Sequence, residues 1–360
     1  MTPLVVRLLR YTVTQQASDL HISAGERPLI RISGELLPVD LPPLTSEQAH
    51  AAIFDVMNDA QRRSFQEDLE CDFAYRLDDN ARFRVNAFTQ NRGEGAVFRT
   101  IPTTIPRMRD LGLPDVVRNL CDEEKGLILV TGPTGSGKST TLAAMIDYVN
   151  DNMHGHILTL EDPIEFVHTT KRSLVSQREV GSHTKSFHNA LRSALREDPD
   201  VILVGELRDL ETIQLALTAA ETGHLVFGAM HTQSAAKTVD RVVDVFPPNQ
   251  QAQIRVMLSE SLVGVISQML VKKIGGGRAA ALEILVGSPG VRNLIREGKT
   301  HQVPSMLQVG GKLGMQTMEA ALADLVTRRV VSLADARLRM PGSEIWNVLE
   351  ATLAAGGPGR

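Results

Sequence analysis

The stretch GLILVTGPTGSGKS, residues 126–139, decides the fold of this 360-residue chain. Its first half is a short apolar run typical of a buried strand, and its second half is a complete G-x-x-x-x-G-K-[ST] motif. Glycines at these spacings let main-chain N–H groups approach phosphate oxygens, and the helix expected next adds the partial positive charge of its N-terminus. The stretch therefore predicts a strand, a phosphate loop and a helix that together bind a nucleotide.

The residues of the motif have distinct expected roles. Lys138 is expected to reach the β and γ phosphates, and the hydroxyl of Ser139 to ligate Mg²⁺. The residues predicted to bind the nucleotide are Gly132, Pro133, Thr134, Gly135, Ser136, Gly137, Lys138, Ser139 and Thr140.

Further short apolar runs flank helical stretches in the same part of the chain. They are HILTLE (156–161), DVILVGE (200–206) and HLVFGAMH (224–231), and this alternation predicts a mainly parallel sheet covered on both faces. A turn at 275–277 leads into a further strand over 279–287, and Ser288 caps a short helix. Apolar residues at helical spacing predict two helices that each bury one face. One set is Leu142, Met145, Ile146 and Val149, and the other is Ile254, Leu258, Leu262, Val265 and Met269.

Carboxylates follow two of these strands. Glu161 and Asp162 end one strand, Glu165 comes shortly afterwards, and Glu206 ends another. Because the carboxyl ends of parallel strands open on one crevice, we expect these groups beside the phosphate loop. Nucleotide hydrolysis needs a carboxylate for the hydrated Mg²⁺ and one for the attacking water. We assign Glu206 to the metal and water side and Glu161 to water activation, with Glu165 as its alternative; Asp162 is either part of the site or a turn cap.

Two histidines bracket the strand LVFGAM. His231 ends it beside the expected crevice, where it could sense the γ-phosphate, and His224 begins it, where a structural role is as plausible as a functional one. Neither has a cysteine or carboxylate partner at zinc spacing.

The N-terminal third has a different pattern. A helix is expected from Leu4 to about Ser18, and alternating segments over 19–23, 27–36, 71–77, 81–90 and 95–101 predict strands of an antiparallel or mixed sheet, interrupted by helical sequence over 46–69. The run IPTTIP suits neither a helix nor a sheet. We therefore divide the chain into an N-terminal α+β domain (1–100), a linker (101–114), an α/β nucleotide-binding domain (115–340) and a peripheral tail (341–360).

Arginines in the N-terminal strands are candidates for a second role. Arg82 and Arg99 lie outside the nucleotide-binding domain, so they could supply cations to the site of a neighbouring subunit. The alternative is an ordinary solvated strand face, which also accounts for Arg84. Arg192 and Arg196 are expected on a helix surface.

Composition excludes several classes of protein. Apolar residues make up 42% and charged residues 22%, and the net charge of −4 gives no general attraction to nucleic acid or anionic lipid. Only 4% of residues are aromatic, which argues against a motor that stacks on single-stranded nucleic acid. Cys71 and Cys121 are too few for a disulfide framework. No apolar run approaches the ~18 residues of a membrane span, and the first residues turn polar too soon for a secretory signal, so we expect a cytoplasmic protein.

The motifs together resemble the retraction ATPases of type IV pili, within the secretion ATPase superfamily. The resemblance rests on SDLHIS, RFRVNAFTQ, GPTGSGKST, LEDPIEF, DPDVILVGELRD and GHLVFGAMHTQSA, and extends to about residue 340. It implies a PAS-like N-terminal domain joined flexibly to a RecA-like ATPase domain, with six subunits in a ring. It further implies an ATP-hydrolysing, Mg²⁺-dependent motor that withdraws pilin subunits and so powers twitching motility.

The C-terminal part narrows the resemblance. VRNLIRE (291–297) resembles a helix linked to retraction, with Gly290-Val291 in place of Ala-Ile and with Arg292, Arg296 and Glu297 expected to be exposed. The chain cannot build the paired-cysteine zinc insertion usual in assembly and secretion ATPases. An accessory retraction ATPase, and more remotely a nucleic-acid motor, remain the alternatives. The implied partners are five further copies of the chain, an inner-membrane pilus platform protein and a paralogous retraction ATPase, without nucleic acid, and contact with the membrane face is expected only through partners.

Overall fold

The computed structural model describes residues 2–32, 34–78, 81–102 and 104–354. The chain forms two units, Met1–Thr104 and Ile105–Arg360. The predicted linker over 101–114 crosses this division, because Ile101 ends the last strand of the first unit while Met108 packs in the core of the second. The joining segment is therefore shorter than predicted; Thr103 lies outside the described residues.

The first unit is a sheet with helices, and of the two predicted alternatives, antiparallel or mixed, its sheet is antiparallel. Its described strands form a six-stranded sheet in the order β3-β2-β1-β6-β5-β4, and their inner faces pack with α1 and α2 around buried Leu9, Ile53, Phe83 and Phe98. The elements are α1 (Leu4–Thr14), β1 (Asp19–Ser23), β2 (Leu29–Ile32), β3 (Glu35–Pro38), α2 (Ser46–Phe54), α3 (Asp59–Asp68), β4 (Glu70–Asp78), β5 (Ala81–Gln90) and β6 (Gly93–Ile101).

Two details of this unit differ from the expectation or refine it. The stretch 27–36, predicted as one strand, is divided into β2 and β3, which pair antiparallel across Gly34 at a φ of 94°. The helical stretch 46–69 is two helices, and each begins with a capping box, Thr45 with Gln48 and Asn58 with Gln61.

The second unit is an α/β layer structure. Its described strands form a seven-stranded sheet in the order β13-β12-β7-β11-β10-β8-β9, in which every neighbouring pair is parallel except β12 with β13. The strands are β7 (Gly126–Thr131), β8 (His156–Glu161), β9 (Leu174–Glu179), β10 (Val201–Val204), β11 (Leu225–Met230), β12 (Leu262–Lys272) and β13 (Arg278–Val286). This sheet confirms the predicted fold class.

Helices cover both faces of this sheet. Alternate residues of β7 show the two layers: Leu127 and Leu129 belong to one apolar core, and Ile128 and Val130 to the other. The helices are α4 (Asp115–Cys121), α5 (Lys138–Asn152), α6 (Phe187–Ala194), α7 (Leu210–Glu221), α8 (Ala235–Asp244), α9 (Pro248–Ser261), α10 (Pro289–Arg296), α11 (Val303–Val309), α12 (Met318–Thr327), α13 (Leu333–Arg339) and α14 (Ile345–Ala354).

The second predicted helix, over residues 254–269, was wrong in its C-terminal half. Ile254 and Leu258 lie on α9, but Leu262, Val265 and Met269 belong to β12, which begins directly where α9 ends. A strand buried on both faces has apolar residues pointing to either side, so residues at helical spacing occur in it by chance.

The C-terminal part contains two further corrections. The tail over 341–360 is not wholly peripheral: Trp346 is fully buried and its Nε1 donates to the Met340 carbonyl at 2.7 Å, while residues 355–360 lie outside the described residues. Ser288 caps α10 as predicted. Arg292 of that helix, expected to be exposed, is only partly so, and it donates to the carbonyls of Gly287 and Glu260 at 2.7 and 3.3 Å.

Candidate functional site

The phosphate loop joins β7 to α5. Gly132, Gly135 and Gly137 have φ angles of 146°, 78° and 88°, which side chains other than glycine rarely adopt. A Cβ on Gly132 would lie 2.6 Å from Ser136 Oγ and closer still to the main-chain oxygen of Gln268 on β12. Gly132 can therefore approach β12 this closely only without a side chain, whereas Gly135 is required for its backbone conformation alone.

The loop presents groups that suit an anion. Lys138 Nζ donates to the Gly132 and Pro133 carbonyls at 2.8 and 3.2 Å. Burial lowers the pKa of the Lys138 ammonium, and the nearby charges of Glu206 and Glu165 oppose that effect. Ser136 Oγ is buried without a hydrogen-bond partner among the described residues, as expected of a hydroxyl that serves a ligand. These features fit the phosphates of a nucleotide.

Glu206 and His231 come together at the carboxyl ends of adjacent parallel strands. Glu206 follows β10, His231 follows β11, and His231 Nε2 lies 2.8 Å from Glu206 Oε1. Arg208, which the sequence analysis did not single out, contacts the same oxygen through Nε. With Ser139 at the start of α5, the Glu206 carboxylate supplies the kind of oxygen ligands that Mg²⁺ prefers.

The structure gives different surroundings to Glu161 and Glu165, the two alternatives for water activation. Glu161 is held inside: its Oε1 accepts from Thr159 Oγ1 at 2.7 Å and from Gln177 Nε2 at 3.1 Å. Burial raises the pKa of the Glu161 carboxyl, and these two hydrogen bonds act in the opposite direction. Glu165 is exposed, and its charge reaches Lys138. Asp162 is also exposed, at a cis peptide bond with Pro163.

Gln177, on β9, is a residue that the sequence analysis missed. Besides binding Glu161, its Nε2 donates to the Phe166 carbonyl at 2.9 Å, and its Oε1 accepts from the main-chain N–H of His168 at 2.7 Å. One side chain thus ties the loop that carries Glu165 to the carboxylate of Glu161.

His224 lies away from this group. It precedes β11 at the amino edge of the sheet, and its Nδ1 is 3.0 Å from the Ala219 carbonyl. The structure therefore gives it a structural contact at the helix end rather than a place beside His231. Arg192 and Arg196 are exposed at α6 and just beyond it.

The predicted arginines of the first unit lie on the outer face of its sheet. Arg99 Nε is 2.9 Å from Asp19 Oδ1, and Arg84 is the register partner of Arg99 on β5. Burial opposes ionisation of Asp19, but Ser18 and Arg99 hold the pKa of its carboxyl below the usual value. Arg82 is on the same face, two residues before Arg84. Arg82, Arg84 and Arg99 thus form an arginine row on one face of the sheet, in which Arg99 is paired with Asp19.

The described residues contain neither a metal cluster nor a membrane-spanning helix. They contain no cluster of three or more His, Cys, Asp or Glu side chains that could hold a metal ion. No helix in the described ranges combines the length and the apolar character needed to cross a bilayer.

The sequence and the fold match known proteins along most of the chain. A family model described as "Type II/IV secretion system protein" matches residues 1–276. The chain is 61% identical to the Pseudomonas aeruginosa type IV pilus retraction ATPase PilT over 92% of this chain and 97% of that protein. It is 41% identical to the type IV pilus ATPase PilU of the same organism, over 92% and 87%. A crystal structure of the pilus retraction motor PilT with bound ADP superposes with a TM-score of 0.89 at 49% identity, covering 96% of this chain and 98% of that one.

His168, on the loop held by Gln177, predicts a pH dependence of stability. Its side chain is buried, and Nδ1 has no hydrogen-bond partner within the described ranges. Burial lowers the pKa of His168 from 6.5 to about 4, although the charge of Asp147 acts in the opposite direction. The imidazole is therefore neutral in the folded protein.

Because the unfolded chain takes up this proton first, acidification from about pH 6.5 towards pH 4 favours unfolding. We expect the second unit to lose about 2 kcal/mol between pH 7.5 and pH 5 through this histidine. Urea denaturation of His168→Asn should show a correspondingly smaller loss, whereas the exposed His154→Asn should lose as much as the parent protein. Equal losses in all three proteins would contradict the prediction.

Proposed function

The chain belongs to the Type II/IV secretion system protein family and is an ATPase, and we propose that its ATP hydrolysis drives the retraction of type IV pili. The observation that carries this proposal is the higher identity to PilT than to PilU over almost the whole chain. The phosphate loop, with the Glu206–His231 pair at neighbouring strand ends, supports the part of the proposal that concerns ATP hydrolysis.

The residues of one subunit divide the reaction between them. Lys138 and the main-chain N–H groups of the loop bind the phosphates, and Ser139 with Glu206 would hold Mg²⁺, which neutralises negative charge on the phosphates when it is bound. Glu165 orients the attacking water, because it is exposed and electrostatically coupled to Lys138. Glu161 positions the Glu165 loop instead of acting on water itself, since its carboxylate is bound by Thr159 and Gln177.

The outer arginine row of the first unit supports a contribution between subunits. The transition state of hydrolysis carries negative charge that a further cation can stabilise, and Arg82 and Arg99 lie on the outer face of a sheet in the unit that does not carry the loop. We place them against the nucleotide of a neighbouring subunit in a homo-hexameric ring. The short joining segment around residue 104 would then take up the change of angle as each site turns over.

The site of action follows from the same proposal. The protein works in the cytoplasm at the inner-membrane face of the pilus base, and it reaches the membrane through a pilus platform protein. A paralogous retraction ATPase is a further candidate partner.

The role in retraction can be tested in cells whose native protein is replaced by a variant that does not hydrolyse ATP. Lys138→Ala and Glu206→Gln should each lower ATP turnover at least ~100-fold, since each removes charge that contacts the phosphates or the metal. Cells with either variant should stop twitching but keep their surface pili, because assembly continues while disassembly stops. The exposed Arg196→Ala should leave both turnover and twitching unchanged. Loss of the surface pili themselves would contradict a role in retraction.

A second prediction separates the two carboxylates. Glu165→Gln should lower kcat ~100-fold or more, the scale for loss of a group that orients or deprotonates water. Glu161→Gln preserves the shape that Thr159 and Gln177 hold, so we expect kcat to fall less than about tenfold. Steady-state phosphate release at saturating ATP measures both. If instead Glu161→Gln lowered kcat more than Glu165→Gln, Glu161 would be the residue that orients the attacking water.

A third prediction addresses the arginines. Arg82→Ala and Lys138→Ala subunits should each be inactive alone, but a 1:1 mixture should regain about a quarter of wild-type turnover, because random neighbours in a ring complete that share of sites. Arg99→Ala tests the neighbouring cation in the same way. Arg92→Ala, in the turn between β5 and β6, is the control and should stay active. Full activity of both Arg82→Ala and Arg99→Ala on their own would refute the contribution between subunits.

A further inference from the structure

Gln268 contacts both ends of the turn from the phosphate loop into α5. It lies on β12, next to the strand that leads into the loop, and its side chain is almost fully buried. Its Nε2 donates to the Ser136 carbonyl at 2.7 Å, and its Oε1 accepts from Thr141 Oγ1, also at 2.7 Å. A Cβ on Gly137 would lie 2.8 Å from the same Nε2. The amide therefore lies directly against the last part of the loop.

The Ser136 carbonyl fixes which way this amide points. A carbonyl only accepts, so Nε2 must face Ser136, and in the opposite orientation the amide would place its oxygen against the oxygen of Ser136. Oε1 then faces Thr141 in the first turns of α5, whose hydroxyl donates to it. Thr141 thus holds the far side of the amide, and the amide holds the Ser136 carbonyl.

The position of that carbonyl determines where the next N–H group points. The peptide bond between Ser136 and Gly137 is planar and trans, so its C=O and its N–H point in opposite directions. Because Gln268 binds the C=O on the side of β12, the N–H of Gly137 is turned away from β12. Main-chain N–H groups turned outward in this way are what a phosphate loop offers to its ligand.

We propose that Gln268 is a positioning residue for nucleotide binding, which holds the Ser136–Gly137 peptide so that the Gly137 N–H faces the bound phosphate. The inference rests on the phosphate loop as the nucleotide site. It adds to that site a residue 130 positions downstream of Lys138 and outside the sequence motif.

The test compares full-length variants by calorimetric titration with ADP and Mg²⁺. Gln268→Met keeps the length of the side chain but leaves the Ser136 carbonyl without a donor, so we expect the Kd for ADP to rise about tenfold. The KM for ATP should rise by a similar factor, while kcat changes less than about threefold. Thr141→Val, which removes only the hydroxyl that holds the amide oxygen, should raise the Kd about threefold.

Gln316→Met is the matched control. Gln316 Nε2 also donates to a main-chain carbonyl at 2.7 Å, that of Leu282, at a distance from the loop along the sheet. Its loss should cost comparable stability but leave the Kd within about twofold of wild type. An equal loss of affinity in both variants would mean a general structural effect and would overturn the inference.

The remaining outcomes separate this inference from the proposed function. If Lys138→Ala abolishes ADP binding while Gln268→Met binds as wild type, the loop remains the site and Gln268 has no positioning role. If Lys138→Ala also binds normally, the nucleotide site itself is misassigned. Should Gln268→Met not fold, Thr141→Val decides alone, and an unchanged Kd then overturns the inference.

Discussion

The close approach of the phosphate loop to β12 is the constraint on which the rest of the site depends. Gly132 and Gly137 lie so near Gln268 that a Cβ at either position would collide with it. This approach requires β12 to be the parallel neighbour of β7, and that order in turn places β11 and β10 on the other side of β7. The strand order thus sets the distance between the loop and the carboxylates, and loop and sheet cannot be varied independently.

Glu161 and Glu165 differ in burial, and this difference suits them to different roles. Glu161 and Glu165 are four residues apart on one connection, yet one is enclosed by Thr159 and Gln177 and the other faces solvent. A carboxylate that already accepts two hydrogen bonds at one oxygen, and a main-chain N–H of the Glu165 loop at the other, is better suited to hold that loop than to hold water. The edge strand β9 creates this difference, because Gln177 lies on it.

Much of this arrangement could be predicted from the sequence. The apolar runs gave β7, β8, β10 and β11, and the strand ends placed Glu206 and His231 on one crevice, where they are 2.8 Å apart. Strand β9 could not be found in this way, since an edge strand has one neighbour and its residues Leu174–Glu179 are mostly half-buried, without an apolar run. Strand β12 was mistaken for helix because full burial removes the alternation that marks a strand. Gln177 and Gln268 were missed for a different reason: their roles depend on tertiary contacts, and no local sequence motif marks them.

Glu206 contacts side chains from two different segments of the chain. Its Oε1 contacts His231, which leads from β11 towards α8, and Arg208, which stands just before Asp209, the cap of α7. Charge on one carboxylate is therefore shared with two cationic or polar groups at short range, where Coulomb interactions are strong. A change in what Glu206 binds therefore alters its electrostatic interaction with both His231 and Arg208. The adjacent ends of β10 and β11 therefore bring one carboxylate into contact with the segments that lead to α7 and α8.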